Sequence, residues 1–443
     1  MLAEPTKAHA ESKSSLDPVS DDDWRRLLDM LPVDPDAVAM QCKAIVRRRV
    51  IRCGQVLLRL ILIYVLCGLS LRDTVSWAAR ALSVVLTDEA LGHRFAKATP
   101  FVQQLATKML ATRLHEPAAS GVALRLLDAT VLTEPGSTGT DWRVHVTYDP
   151  ARAEVVGVEV TDAHGGEHLR RAATTPGDLV IADMGLGHAS DVREGNERQV
   201  RVLLRSHLES LAVDDLQHRR TTPEQLLDAA DAAPLDRDVL LPERGHEAVP
   251  ARLLLVPLPP EQAGRARQRL RKAKKGHTPS ALTLRHAGYF CCITTLTREE
   301  ASTEAVFAWY RIRWQVELLF KRYKSLLHLD HLTKAKPALV TLQIWARLLV
   351  AILVEKIAST TRSAKSVEAS APPVSLWRLD HIHWIDVVLA VYGGATLVDR
   401  LAKAEATAEP LRERPRRKRT WAQKLIESIQ HALHPPAVSP APA

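Results

Sequence analysis

One stretch constrains this chain more than any other: Trp309–Leu327, WYRIRWQVELLFKRYKSLL. Wound as a helix at about 100° per residue, it separates into two faces. Tyr310, Arg313, Glu317 and Lys324 fall within an arc of roughly 60°, and Lys321 shares that arc. Ile312, Val316, Leu319, Phe320, Tyr323, Leu326 and Leu327 lie on the other side. One face is therefore built for burial, and the other presents a single carboxylate among cations and a phenol. On an arbitrary helix such a face is a solvated salt-bridge surface. Two acids elsewhere in the chain give it a different meaning.

The first is Asp128. It sits inside VALRLLDATVL (Val122–Leu132), an apolar run bounded by turn residues that reads as a central strand. A buried, unpaired carboxylate is costly, so an acid at that position needs a partner. DWRVHVTYD (Asp141–Asp149) and AEVVGVEVTD (Ala153–Asp162) alternate as a hairpin, and a short helix is expected at Glu167–Ala173. The second acid is Asp183, which the buried strand GDLVIADMG (Gly177–Gly185) delivers at its C-terminal end. A helix at His188–Glu197 and a strand at Gln199–Arg205 complete a β-β-β-α-β-α-β order, an α/β pattern.

In an RNase H-like sheet of this order the first and fourth strands are neighbours, and the helix after the fifth strand packs across them. Asp128, Asp183 and Glu317 then meet at one spot. Three hard oxygen donors suit Mg²⁺ or Mn²⁺, and two such ions activate water or a 3′-hydroxyl and stabilise the leaving oxygen in phosphodiester cleavage. Like-charge repulsion in the cluster is expected to raise at least one carboxylate pKa. Trp142, Arg143 and His145 are expected to line the same cleft, with a hydrogen-bonded strand histidine as the plainer reading of His145.

The fold class expected is α/β: an RNase H-like catalytic core interrupted by a β-rich insertion, with an all-α N-terminal domain and a helical C-terminal region. Residues 1–22 form a polar tail expected to be disordered. Residues 23–120 form the helical domain, with helices at Asp22–Leu31, Asp36–Arg52, Val56–Cys67, Leu71–Leu82, Asp88–Ala96 and Pro100–Leu114. The arginine-rich end of the second suits phosphate contact and DNA binding, and a plain helical packing module is equally consistent with the region. The core occupies 121–205 and, with the catalytic helix, 301–358. The insertion spans 206–300, with a polar stretch at Leu211–Asp238, a strand at Ala251–Leu258, a basic helix at Pro260–Gly276 and a last strand ending Ala281–Leu296. The apolar helix Pro337–Ile357 is expected beneath the catalytic one. Residues 359–443 comprise a linker (Ser359–Ser375), a helical region and a basic arm, Arg412–Arg419.

The formal net charge of +9 points to a polyanionic partner. The five cysteines form no CxxC pair, which fits a reducing cytoplasm. The apolar run Val56–Leu71 is interrupted by Arg59 and is short for a bilayer. With no apolar segment at the N-terminus, the chain is expected to be cytoplasmic, without a membrane partner.

The spacing Tyr310-x2-Arg313-x3-Glu317-x6-Lys324 resembles the Y-R-E-K signature of DDE insertion-sequence transposases of the IS-four group. RLLDATVLTEPGSTGTDWRVHVTYD and GDLVIADMGLGH resemble the blocks around that family's two aspartates. YFCCITTLTREEASTEAVFAWYRIRWQVELLFKRYKSLL resembles the block leading into its glutamate, and VLLRLILIYVLCGLSLRDTVSWA its N-terminal helices. The resemblance covers most of residues 50–350. It implies that Asp128, Asp183 and Glu317 are the catalytic, metal-binding residues for two Mg²⁺ ions, with Mn²⁺ able to substitute. Tyr310, Arg313 and Lys324 would hold transposon-end phosphates; Lys321, outside the motif, is expected to join them. The implied activity is cut-and-paste transposition: cleavage at terminal inverted repeats, commonly through a hairpin, and strand transfer into target DNA. The implied assembly is a homodimer in a synaptic complex, at the bacterial nucleoid. This chain departs from the family pattern at Asp128-Ala129-Thr130, where Asp-Gly-Thr is usual, and at Met184 and Leu186, which remove polar groups beside the second aspartate. The alternatives are a catalytically inactive transposase-derived protein that binds the ends without cutting, and an RNase H-fold nuclease of other purpose.

Overall fold

The computed structural model describes residues 21–116, 122–273, 278–333, 336–365, 374–393 and 417–433. The expected tail 1–22, all but its last two residues, part of the Ser359–Ser375 segment and the side chains of Arg412–Arg419 lie outside the described residues.

The frame is a ten-stranded mixed sheet. Its strands are β1 (Leu124–Leu132), β2 (Trp142–Asp149), β3 (Glu154–Asp162), β4 (Leu179–Ala182), β5 (Arg201–Arg205), β6 (Val213–Asp214), β7 (Arg220–Thr221), β8 (Leu235–Leu241), β9 (Val249–Pro257) and β10 (Tyr289–Thr294). The order across the sheet is β3-β2-β1-β4-β5-β10-β9-β8-β6-β7. The helices are α1 (Asp22–Asp29), α2 (Pro35–Gln41), α3 (Gly54–Leu66), α4 (Leu71–Leu82), α5 (Asp88–Phe95), α6 (Thr99–Leu114), α7 (Ala189–Glu197), α8 (Pro223–Ala232), α9 (Pro260–Ala273), α10 (Ala281–His286), α11 (Thr303–Tyr310), α12 (Trp314–Ser325), α13 (Pro337–Lys365) and α14 (Leu376–Tyr392), followed by a C-terminal helix, Arg417–Leu433.

Two features of the sheet fix the site. β1 and β4 run parallel in a register that ends at Leu127↔Ala182. Asp128 and Asp183 each follow the last paired residue, so they emerge side by side at the same level. Arg125 then ties the neighbours together. Its buried guanidinium donates to Asp149 Oδ2 at the end of β2 (2.7 Å) and to Asp178 Oδ2 just before β4 (3.0 Å).

Both faces of the central strands are covered. Leu124, Leu126, Ile181 and Leu203 join the core shared with α3, α6, α12 and α13, whereas Leu127, Val180, Ala182 and Leu204 join the one capped by α7 and α8. By the two-residue period of a strand, Asp128 shares the face of Leu124 and Leu126, toward α12. α13 is long and apolar enough to cross a bilayer, but 83% of its most apolar window is buried inside the protein. It is a core helix, packed on α6, α3, α14 and β3.

The secondary structure differs from the sequence expectations at several elements. Trp309–Leu327 is not one helix: a 3-10 turn at Arg311–Arg313 separates α11 from α12. The expected helix Asp36–Arg52 ends at Gln41, and Lys43 adopts φ 55°. Continuing it would have stacked Lys43 on Arg47 and Arg48 on Arg52, like charges at i,i+4. The polar stretch Leu211–Asp238 holds β6, β7, α8 and the start of β8, with a Thr222/Gln225 capping box on α8. α13 continues to Lys365, past the expected linker start at Ser359.

Candidate active site

The strand ends and the α11–α12 junction meet over β1 and β4. Asp128 Oδ1 accepts from Ala129 N–H at 2.8 Å, and Asp183 Oδ1 accepts from Met184 N–H at 2.8 Å as the cap of a short 3-10 turn. Glu317 stands in the first turn of α12. Between them lies Arg313. One guanidinium nitrogen donates to Asp128 Oδ2 (3.1 Å); the other lies 3.5 Å from Asp183 Oδ2 and donates to Glu317 Oε1. A single side chain therefore touches all three acids. The Tyr310 hydroxyl, on a buried ring, donates to Asp183 Oδ1 at 3.1 Å. Lys324 Nζ donates to the Val131 carbonyl at 3.0 Å, near the end of β1, while Lys321 is exposed on α12.

The far side of α12 is held by more than apolar contact. Val316, Leu319, Phe320 and Tyr323 are buried. The Tyr323 hydroxyl donates to Glu355 Oε1 of α13 (2.7 Å), and Glu355 Oε2 accepts from Arg113 Nη1 of α6 (2.7 Å) and Val155 N–H of β3 (3.0 Å). Arg322 Nε donates to Asp380 Oδ2 of α14 at 2.8 Å. These bonds fix the height and rotation of the helix that carries Glu317.

Burial pushes the Asp128 carboxyl up to about 6, opposed by the Ala129 N–H and Arg313 and reinforced by Glu167 and Asp183. Repulsion was the expected cause; loss of solvent is the larger one. The donor set consists of carboxylate oxygens converging on one cationic group, which is what a hard divalent cation requires.

An open cleft of about 380 Å³ lies beside the cluster, lined by Asp128, Arg143, Glu167, Asp183, Met184 and Gly185. Of the three strand residues expected there, only Arg143 lines it. Trp142 Nε1 donates to Glu134 Oε1 (2.8 Å). His145 is buried with Nε2 3.0 Å from Thr161 Oγ1, and burial, then nearby arginines, lowers it to about 4. It is a neutral strand histidine.

Two residues of this neighbourhood escaped the sequence reading. Arg205 Nη1 lies 3.7 Å from Asp183 Oδ1. Its signal was position: β5 is the parallel neighbour of β4, and Arg205 ends it as Asp183 follows β4. Glu167 was assigned to an ordinary short helix, yet the helical turn starts only at Leu169. The signal was the Gly165-Gly166 pair before it, a sign of close backbone approach.

The family profile of the Transposase DDE domain matches residues 123–353, from β1 into α13, a span that contains all three acids. The chain belongs to the DDE transposases. InsL of insertion sequence element IS186A, from Escherichia coli strain K12, is 36% identical over 349 residues, which cover 76% of this transposase and 94% of InsL. The transposase for insertion sequence element IS421 of Escherichia coli is also 36% identical, over 350 residues and the same shares. That for element IS231E of Bacillus thuringiensis subsp. finitimus is 24% identical over 316 residues, 61% of this chain and 65% of its own. This transposase thus acts on transposon-end and target DNA and depends on divalent metal, as its family does.

The loop that carries Glu167 rests on Asp191, whose Oδ1 accepts from Leu169 N–H at 2.8 Å; its buried Oδ2 has no well-formed hydrogen bond among the described residues. Burial raises Asp191 to about 6, against the pull of the Leu169 N–H. Its folded pKa lies above its unfolded one, so the folded state holds the extra proton between about pH 4 and 6, and stability falls as pH rises through that window. Asp191→Asn removes this dependence. Across pH 4–6 the difference in unfolding free energy between variant and parent shifts in the variant's favour by up to about 3 kcal/mol. Urea melts at pH 4, 5 and 6 measure it; a constant difference refutes it.

Proposed function

We propose that this transposase performs cut-and-paste transposition at the cluster of Asp128, Asp183 and Glu317, with two Mg²⁺ ions that Mn²⁺ can replace. The observation that carries the reading is that Arg313 reaches all three carboxylates at once. When bound, the cations supply Lewis-acid stabilisation of the oxygens in phosphodiester cleavage and transfer. The sheet order β3-β2-β1-β4-β5 with α12 across it supports an RNase H-like core. Residues 206–300 are then an insertion within that core, residues 23–120 a DNA-binding helical domain, and 359–443 a helical region.

The side chains divide the work. Asp128 and Asp183, capped by backbone N–H groups, and Glu317 present oxygens to the cations. Arg313 offers a planar fork that grips a phosphate bidentately when released from the acids. Tyr310 orients Asp183 and can donate to a phosphate oxygen. Lys324 and Lys321 supply point charges along the end DNA. The protein works as a homodimer that synapses two ends, in the cytoplasm at the nucleoid, with a hairpin intermediate.

The test is a duplex bearing the element's terminal inverted repeats, incubated with purified protein in Mg²⁺, Mn²⁺ or EDTA. Cleavage with either metal and none in EDTA is expected. End binding without cleavage in both metals sinks this reading in favour of the inactive alternative. Lys321→Ala is expected to weaken end binding several-fold and to lower the salt slope by about one counterion. Unchanged binding and cleavage remove Lys321 from the interface.

A further inference from the structure

We infer that Glu167 is a fourth carboxylate of the cation-binding cluster, seated beside Asp183 by the absence of a side chain at Gly185. The inference rests on the reading of Asp128, Asp183 and Glu317 as cation ligands, and adds a residue outside the D-D-E set.

Glu167 lines the same cleft as Asp128 and Asp183. It is close enough to raise Asp128, and it feels Asp183, Arg143 and Arg313 in turn. It packs against the turn that follows Asp183. A Cβ at position 185 would run into the Glu167 carboxylate and come within 3.2 Å of the Glu167 Cβ. Gly185 has no positive φ, and the 3.2 Å approach of the Glu167 Cβ is what a side chain at this position would meet first on the less movable part of Glu167.

The backbone around Glu167 is pinned on both sides. Arg171 Nε donates to the Gly166 carbonyl (2.8 Å), Leu169 N–H to Asp191 (2.8 Å), and the Leu169 side chain is fully buried. The carboxylate itself is different. Among the described residues, no hydrogen bond or ion pair holds it. The neighbouring Glu159 shows the ordinary case, an acid ion-paired to Arg171. A partly buried carboxylate on a fixed backbone, near two other acids and bonded to neither Arg143 nor Arg313, keeps its oxygens available to a ligand. Its hard oxygens match the class of cation that Asp128 and Asp183 would take, either directly or through a bound water.

The experiment is Mn²⁺ binding to the full-length protein without DNA, followed by the electron paramagnetic resonance signal of free Mn²⁺. Parent, Glu167→Gln, Glu167→Asp, Asp128→Asn and Glu159→Gln proteins are compared, with metal-free thermal unfolding of each. Glu167→Gln is expected to weaken Mn²⁺ about tenfold or more, with Glu167→Asp intermediate and Glu159→Gln within twofold of the parent. Metal-free Glu167→Gln is expected to melt at or above the parent, because a like charge has been removed. If Asp128→Asn weakens binding and Glu167→Gln does not, the inference is overturned and the three-acid reading stands. If Asp128→Asn leaves binding unchanged, the three-acid reading fails and takes the inference with it. Weak binding in a Glu167→Gln protein that melts several degrees lower also overturns it, as the role would then be structural.

Discussion

Asp128→Asn, Asp183→Asn and Glu317→Gln each lower end cleavage by at least about a thousandfold. Loss of several kcal/mol of charge stabilisation at the reacting oxygens corresponds to that factor. Each substitution keeps the shape of the side chain and removes one negative charge from a group that Arg313 touches. End binding is expected to hold or tighten, because an acid facing the phosphates has been neutralised. Double variants fall little below single ones, since residues that act as a unit are strongly non-additive. The measurement is nicking of labelled end duplex in Mg²⁺ alongside a gel-shift titration. One variant that cuts at near-parental rate removes that residue from the site.

Glu355→Ala lowers global stability by about 3–5 kcal/mol, the usual cost of leaving a buried charge without its partner. Glu355 is buried, and its loss strands Arg113, the Tyr323 hydroxyl and the Val155 N–H together. Burial, opposed mainly by Arg113, holds the Glu355 carboxyl above its ordinary range. Glu355→Leu with Arg113→Met recovers a large part of the loss, as apolar replacements of buried pairs commonly do. Urea denaturation reads the effect as a lower midpoint at unchanged slope. A loss below about 1 kcal/mol, the scale of an exposed pair, would mean that α12 is held by apolar packing alone.

The three acids were legible because each breaks a local pattern. Asp128 interrupts an apolar strand, Asp183 ends another, and Glu317 is the one acid on a cationic arc. The expected adjacency of β1 and β4 is present, and their register places the two aspartates level, whereas the continuation of the same sheet through β10, β9 and β8 was not expected. What was hidden depends on distance or on geometry that periodicity does not encode. Arg113 and Glu355 are 242 residues apart, and nothing near either marks the other. A 3-10 turn and an α turn space apolar residues almost alike, so the break at Arg311–Arg313 left no trace in the pattern. β8 was lost because Asp236, Arg237 and Asp238 interrupt its alternation, although Asp236 is taken up by Arg252 in the fold. Glu167 falls at the start of the expected helix Glu167–Ala173 and carries no mark of its own, because the glycine that admits it comes 18 positions later, at Gly185.

Arg313 has a consequence for linkage between ligands. While its guanidinium satisfies the acids, entry of any other cation is an exchange and not an addition, so part of the attraction is already spent. A phosphate that draws the arginine away leaves the carboxylates with surplus negative charge. Coupling free energies are reciprocal: whatever factor the nucleic acid adds to cation affinity, the cations add to nucleic-acid affinity. With neither present, Arg313 offsets only part of the negative charge of the three acids; with both, each holds the other in place.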